Sequence, residues 1–317
     1  AMFIKKDLRK IPKILDDAVI CTNDMDTMDT EKGGERTKRI KLQKPLQELK
    51  LGRRKQEFKG TLNILCQPAY IPKLQELKSL NLYGCDIKDC TKIGLLESCP
   101  QLEILNLGRN PISELPKELS KVKSLQEIWL DDCALAGDFP EPLYDLPNLQ
   151  VLKLPNNKIS KLDGSRLTRL TKLRVLCLDR NELQDLPSEL QYLVNLKEFF
   201  VRHNLLKGTL PPLAPSLEIL HISSNELSDL GTLDVDCPDL TTLYANGNQL
   251  TSLPMDLFAN CQSLTKLVVS HNQLTSVPDA FWTVSSCEIV WKPSNTQLTP
   301  PSPPPSEDDV VMEPATE

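Results

Sequence analysis

The chain has 317 residues, of which 40% are hydrophobic and 25% charged, enough apolar mass to bury a large core. Its formal net charge of −6 excludes general nucleic-acid affinity, because phosphate binding requires a basic surface. No apolar run approaches the roughly 20 residues needed to span a bilayer, so no membrane span is expected.

The opening residues, Ala1-Met2-Phe3-Ile4-Lys5-Lys6, lack the apolar segment of a secretory leader. Ala1 ahead of Met2 reads as a cloning remnant, compatible with a trimmed leader or an excised fragment. Leu8-Arg9-Lys10-Ile11-Pro12-Lys13-Ile14-Leu15 resembles a unit met again at Leu183-Gln184-Asp185-Leu186-Pro187. Residues 1–20 are therefore expected to cap the open apolar end of a downstream array of such units. Residues 21–45 are polar, contain Gly33-Gly34, and turn from acidic (Asp24, Asp26, Asp29, Glu31) to basic (Arg36, Lys38, Arg39, Lys41), which reads as a flexible loop. The basic run from Arg36 to Lys59 reads as a solvated end in preference to a targeting signal or a contact for an acidic partner.

From Leu46 the pattern L-x-x-L-x-L-x-x-N-x-L recurs about every 24 residues. It is clearest at Leu173, Leu176, Leu178, Asn181 and Leu183, and again at Leu217, Leu220, Ile222, Asn225 and Leu227. Repeats begin at Leu46, Leu77, Leu102, Leu125, Leu149, Leu173, Leu196, Leu217, Leu240, Leu264 and, weakly, Cys287. Within each, the x-L-x-L-x stretch alternates with period two and predicts a short strand with its leucines inward. Successive strands pair in parallel along the inner wall of a curved solenoid. The column Asn110, Asn157, Asn181, Asn204, Asn225, Asn248, Asn272 and Asn295 falls where the chain turns inward and predicts a buried amide ladder for the backbone. Leu115-Pro116-Lys117-Glu118-Leu119 and Leu186-Pro187-Ser188-Glu189-Leu190 favour extended or short helical turns. Ile93-Gly94-Leu95-Leu96-Glu97 reads more helical, and Leu210-Pro211-Pro212-Leu213-Ala214-Pro215 as polyproline-like. The long connection from Phe58 to Glu76 is expected to bulge from the array. Residues 299–317, rich in proline and acid, read as a disordered tail carrying proline-directed (Thr299, Ser302) and acid-directed (Ser306) phosphorylation motifs and a Pro300-x-x-Pro303 element.

This pattern resembles the intracellular leucine-rich repeat proteins of the 23–24-residue class, especially the Ras-scaffold and plant intracellular Ras-group type, with repeats two and nine nearer the phosphatase-regulating type. The resemblance covers residues 46–298 as one repeat domain. It implies an α/β solenoid, a horseshoe with a parallel β-sheet on its concave face and short helical or extended turns on its convex face. The departures are Arg54 at the Asn position of repeat one, the long first step and Cys287 in place of leucine.

Ten cysteines could suggest disulfides, but Cys85 and Cys133 stand at the Asn position and Cys99, Cys237 and Cys261 each three residues before a repeat's first leucine. Such register-placed cysteines behave as buried apolar fillers. Without Asn-x-Ser/Thr sequons, the chain reads as cytoplasmic, with a nuclear location open.

Register also maps the outward side chains. The residue between the second and third leucines gives Lys50, Asn81, Asn106, Trp129, Lys153, Cys177, Phe200, His221, Tyr244, Val268 and Trp291. Two positions on lie Tyr83, Asp131, Asp179, Arg202, Ser223, Asn246 and Ser270; next to them come Arg53, Arg109, Asp132, Arg180, His203 and His271. In a chain only 5% aromatic, four large aromatics share one column and all three histidines fall on one wall. Aromatics beside Arg and His compose a protein-recognition surface. The expected partner-binding residues are Trp129, Asp131, Asp132, Asp179, Arg180, Phe200, Arg202, His203, His221, Tyr244, Asn246 and His271. About half of their charges are expected to pair with one another or only solvate the wall, and Trp291 could instead belong to the C-terminal cap.

No phosphate loop, dinucleotide fingerprint or HExxH pair is present, so no cofactor is expected. A metal site from Cys177, His203 and His221 lacks a close ligand pair, and Cys177 with His203 lacks the third group of a nucleophile–base set. The reading is a monomeric, non-catalytic scaffold or adaptor for a signalling protein partner. Its alternatives are a regulatory or substrate-receptor subunit of a phosphatase, small-GTPase or ubiquitin-ligase complex, or the recognition domain of a larger protein.

Overall fold

The computed structural model describes residues 48–50, 74–88, 90, 96–294 and 298. The expected cap (1–20), loop (21–45) and tail (299–317), most of the basic run, the bulk of the Phe58–Glu76 connection and Asn295 lie outside the described residues.

Eleven short strands form one parallel sheet, one strand per repeat: β1 (Glu48–Lys50), β2 (Ser79–Asn81), β3 (Ile104–Asn106), β4 (Glu127–Trp129), β6 (Val151–Lys153), β8 (Val175–Cys177), β9 (Glu198–Phe200), β11 (Ile219–His221), β13 (Thr242–Tyr244), β14 (Lys266–Val268) and β15 (Glu288–Val290). Most alternate half-exposed, buried, half-exposed, so the middle leucine points into the solenoid and its two neighbours face out. The inward residues of every repeat merge into one continuous core, with Leu105, Leu152, Leu176, Leu220 and Leu243 wholly inaccessible. Burying each such leucine stabilises the fold by roughly 1.5–3 kcal/mol.

The asparagine ladder is present from Asn110 to Asn272. The Asn181 amide donates to Leu154 O (3.0 Å), Leu178 O (3.0 Å) and Asp179 O (3.3 Å), and its Oδ1 accepts the Ile159 N–H at 3.0 Å. Asn157, Asn204, Asn225, Asn248 and Asn272 repeat the arrangement. Cys133 interrupts it: its thiol reaches Leu107 O and Asp131 O at only 3.6 and 3.7 Å, and the Ile112 N–H turns instead to Asn110 O. Cys99, Cys237 and Cys261 are buried in one equivalent slot. The Cys237 thiol donates to Ala214 O and the Cys261 thiol to Cys237 O, both at 3.4 Å, and no disulfide joins any of the eight described cysteines.

The outer wall follows proline placement. Single 3₁₀ turns at Lys117–Lys121, Glu141–Asp145, Ser188–Tyr192 and Asp279–Trp282 each follow a proline (Pro116, Pro140, Pro187, Pro278) whose φ lies between −57° and −74°. The ring fixes φ near that value and removes a donor the turn does not need. Repeat two contributes the 3₁₀ turn Leu96–Ser98, and one-turn helices α1 (Gly164–Leu167), α2 (Leu233–Asp236) and α3 (Leu257–Asn260) complete the wall. Two small parallel pairs were not foreseen: β5 (Ala136–Asp138) with β7 (Lys158–Lys161), and β10 (Lys207–Thr209) with β12 (Glu226–Asp229). Gly137 and Gly208, at φ +75° and +70°, supply the irregularity each pair contains. Pro211–Ala214 follow β10 without helix or strand. Among the described residues no helix is long and apolar enough to cross a membrane.

Candidate functional site: the concave wall

The sheet register carries one half-exposed column through Asn81, Trp129, Lys153, Cys177, Phe200, His221, Tyr244 and Val268, as expected, but corrects the expectation at Asn106, which is in register yet buried, its Oδ1 accepting the Gly108 N–H. At the last repeat it corrects the expectation: Val268 stands opposite Val290, not Trp291. The weak eleventh repeat is offset by one residue from the spacing counted from Cys287. Trp291 packs against the core and meets Trp282 edge-on at 5.6 Å, with Trp282 against Phe281 at 5.0 Å, forming a C-terminal aromatic cap.

Phe200, His221 and Tyr244 stand on three adjacent strands as a ring stack. The His221 ring lies 6.3 Å from Phe200 and 4.8 Å from Tyr244. Burial holds His221 below the ordinary imidazole range, a shift that Arg202 reinforces and Asp179 opposes. His203, exposed at the strand ends, is also lowered, first by burial and then by Arg180 and Arg202. Trp129 stands three repeats away, with Lys153 Nζ 5.3 Å from its ring centre and its indole N–H occluded without a hydrogen-bond partner.

The charged residues divide. Asp179 is buried, and its carboxylate accepts the Arg202 N–H at 2.9 Å and Arg202 Nε at 2.7 Å. It is a positioning group for Arg202, not an open contact, because a buried carboxylate requires such partners. Arg109 Nε pairs with Asp132 at 3.2 Å across exposed surface. Asp131 packs over Gly108, where an added Cβ would collide with its carboxylate, and its carboxyl is raised by burial and by the Asp132 charge. Arg180 makes no ion pair among the described residues. Asn246 Oδ1 accepts the Ser223 hydroxyl at 2.6 Å, and His271 Nδ1 lies 3.2 Å from Ser294 Oγ at the far end of the wall. The wall thus joins Phe200, His221, Tyr244, Arg180, Arg202 and His203 into one neighbourhood and leaves Trp129 with Asp131 and Asp132 in a second.

A further outward column, two residues earlier on each strand, escaped the sequence reading: Ile104, Glu127, Val151, Val175, Glu198, Ile219 and Thr242, all half-exposed. The same period-two alternation that placed Phe200 puts Glu198 on its face. Val151, Val175 and Ile219 extend the apolar strip beside the aromatic column. Burial raises the Cys177 thiol to about 11 and that of Cys133 to about 12, so neither is a thiolate at neutral pH. Among the described residues no three His, Cys, Asp or Glu side chains converge as a metal site.

Sequence profiles described as "Leucine rich repeat" match residues 144–206 and 238–288, one for two repeat copies matches 215–257, and a single-repeat profile matches 101–122. The chain belongs to the leucine-rich repeat family. It is similar to a Leptospira interrogans leucine-rich repeat protein of known structure, with TM-score 0.66 and 26% identity over 78% of this chain and 60% of that one. The structure of the plant peptide hormone receptor RGFR1 in complex with RGF2 gives TM-score 0.62 and 26% identity over 77% of this chain and 39% of the receptor. Among curated proteins, Tubulin-folding cofactor E of Arabidopsis thaliana is 31% identical over 201 residues, 56% of this chain and 38% of that protein. Receptor like protein 28 of the same plant is 29% identical over 162 residues, 50% of this chain and 21% of that one. The chain thus spans well under half the length of these curated relatives. Leucine-rich repeat proteins act as protein-interaction domains.

Proposed function

We propose that the protein is a non-catalytic scaffold or adaptor that holds a protein partner on its concave wall, in a signalling role and in a reducing, cytoplasmic or nuclear, compartment. The observation that carries this is the Phe200–His221–Tyr244 stack, half-exposed on a rigid sheet and continuous with Val175 and Ile219. Large rings on fixed strands lose little conformational entropy on binding, and such anchors dominate interface energies. The wall residues proposed to meet the partner are Trp129, Asp131, Asp132, Arg180, Phe200, Arg202, His203, His221, Tyr244, Asn246 and His271, with Asp179 acting through Arg202. The peptide complex of the similar plant receptor supports a polypeptide ligand, and eight mostly buried cysteines outside any disulfide support the compartment.

Replacing Trp129 and Phe200 with alanine is expected to abolish capture of partners from native extract while the melting temperature falls by no more than about 4 °C. An unchanged capture profile refutes the assignment. A second reading, recognition domain of a larger protein, is supported by the small share of its relatives that the chain spans. The natural open reading frame decides it.

A further inference from the structure

The charges on the concave wall are sorted along the solenoid. Repeat four presents Glu127, Asp131 and Asp132, against which Arg109 of repeat three is the one ion-pair partner among the described residues. Repeats five to seven present Lys153, Arg180 and Arg202, with Asp179 committed to Arg202. Glu198 is the one other anion on the wall there, on the far side of Phe200 from Arg202. A cationic stretch of this kind runs against the chain's overall charge of −6. The aromatic stack comes next, at repeats seven to nine. Acid, cation and apolar neighbourhoods therefore succeed one another in fixed order from repeat four to repeat nine.

The spacing of this order is set by the sheet. Asp132 and Arg180 occupy the same position two repeats apart, and His221, the centre of the stack, lies two repeats beyond Arg180's strand. Parallel strands lie about 4.8 Å apart, so each interval is roughly 10 Å. An extended polypeptide rises about 3.3 Å per residue, so it spans each interval in about three residues.

Resting on the concave-wall reading above, we infer that the wall takes an extended polypeptide segment running along the solenoid, with a basic residue over Asp131 and Asp132, an acidic residue about three positions on over Arg180 and Arg202, and an aromatic or aliphatic residue about three further over the Phe200–His221–Tyr244 stack. Two features sharpen the match. Asp131 and Asp132 set two carboxylates side by side with Arg109 paired to Asp132 alone, so Asp131 remains for a partner's cation. Arg180 is a donor without an ion-pair partner among the described residues, so a carboxylate there displaces nothing. The pattern specifies order but not chain direction, because the side chains rather than the ligand backbone are read.

The test uses labelled peptides of pattern Lys-x-x-Glu-x-x-Phe and its charge-swapped isomer Glu-x-x-Lys-x-x-Phe, with x glycine or serine, titrated against the intact protein by fluorescence anisotropy at low salt. The first is expected to bind about tenfold or more tightly than the second. Arg180→Glu is expected to shrink that preference to about threefold or less by weakening the first peptide, and retained binding of both peptides through phenylalanine shows that the variant is folded. Equal affinities for the two peptides, or no binding by either at about 1 mM, overturn the inference. Equal affinities that vanish when the peptide's phenylalanine becomes alanine leave the apolar concave site standing and refute only the charge order. Native partners still captured by the Trp129/Phe200 double variant would instead remove the underlying reading.

Discussion

Asn181→Ala removes one rung of the ladder from the middle of the array, and its cost can be worked bond by bond. The amide makes three donations and one acceptance, all to backbone. The two carbonyls it reaches best keep another donor, because Leu154 O also receives Asn157 and Leu178 O also receives Asn204. The Ile159 N–H, in contrast, has the Asn181 oxygen as its partner and sits on a residue with no accessible surface. Alanine leaves that donor orphaned in the core, at roughly 1–3 kcal/mol, and weakens the two shared carbonyls by a fraction of that. The expected loss is about 2–3 kcal/mol, read as a lowered urea midpoint. Because stacked repeats can lose cooperativity at a damaged junction, hydrogen exchange at Ile159 is the more direct assay, and its amide should lose protection ahead of its neighbours. An unchanged midpoint together with an Ile159 amide as protected as before would refute the account of the ladder.

The same geometry predicts other outcomes. Cys133→Asn fills the ladder's gap, offering the Ile112 N–H a side-chain acceptor, and should raise stability by about 0.5–1.5 kcal/mol in the same urea assay. Arg180→Gly relieves a left-handed φ of +54° but loosens the unfolded chain by a similar amount, so stability should change by less than about 1 kcal/mol while the Lys-x-x-Glu-x-x-Phe peptide loses affinity. His203 and His221 have lowered folded pKa values, so the unfolded chain takes up protons first as pH falls. Their contribution is complete above the ordinary value near 6.5 and is lost as pH drops from there to the lowered values. The urea midpoint should therefore fall as pH drops below the ordinary imidazole value near 6.5, with a shallower fall in His221→Gln; equal slopes would contradict the assignment.

The parts legible in the sequence were those repeated most often. Leucine spacing gave the strand of each repeat, and the register of Trp129, Phe200, His221 and Tyr244 came with it, because a period of two leaves no freedom once the inward leucines are fixed. The reading failed where that constraint lapses. At the last repeat, Cys287 in place of leucine let the count slip by one and moved Trp291 from the outer column to the cap. On the convex side nothing repeats strictly, so β5–β7 and β10–β12, which depend on neighbouring glycines and backbone pairing, left no pattern to read. The pairing of Asp179 is illegible for another reason: its column faces outward, but its carboxylate is covered by Arg202 on the next strand, a contact between repeats that spacing within one repeat does not reveal.

One column shows fold and recognition making opposed demands. The residue before the ladder asparagine, or before the cysteine that replaces it, is left-handed in repeat after repeat, at φ between +51° and +68° through Gly84, Arg109, Asp132, Asn156, Arg180, His203, Ser224, Gly247 and His271. The turn requires that conformation, and glycine meets it without strain, as at Gly84 and Gly247. A side chain with a Cβ costs roughly 1–2 kcal/mol in the same place, least for the short polar residues that bond locally. Asp132, Asn156 and Ser224 fall in that tolerant class. Arg109, Arg180, His203 and His271 gain no such local relief, and three of the four project from the strand ends that border the charged and aromatic stretches of the wall. Under the proposed concave-wall reading, the long cationic and imidazole side chains of Arg109, Arg180 and His203 offset that backbone strain through contacts made outside the solenoid.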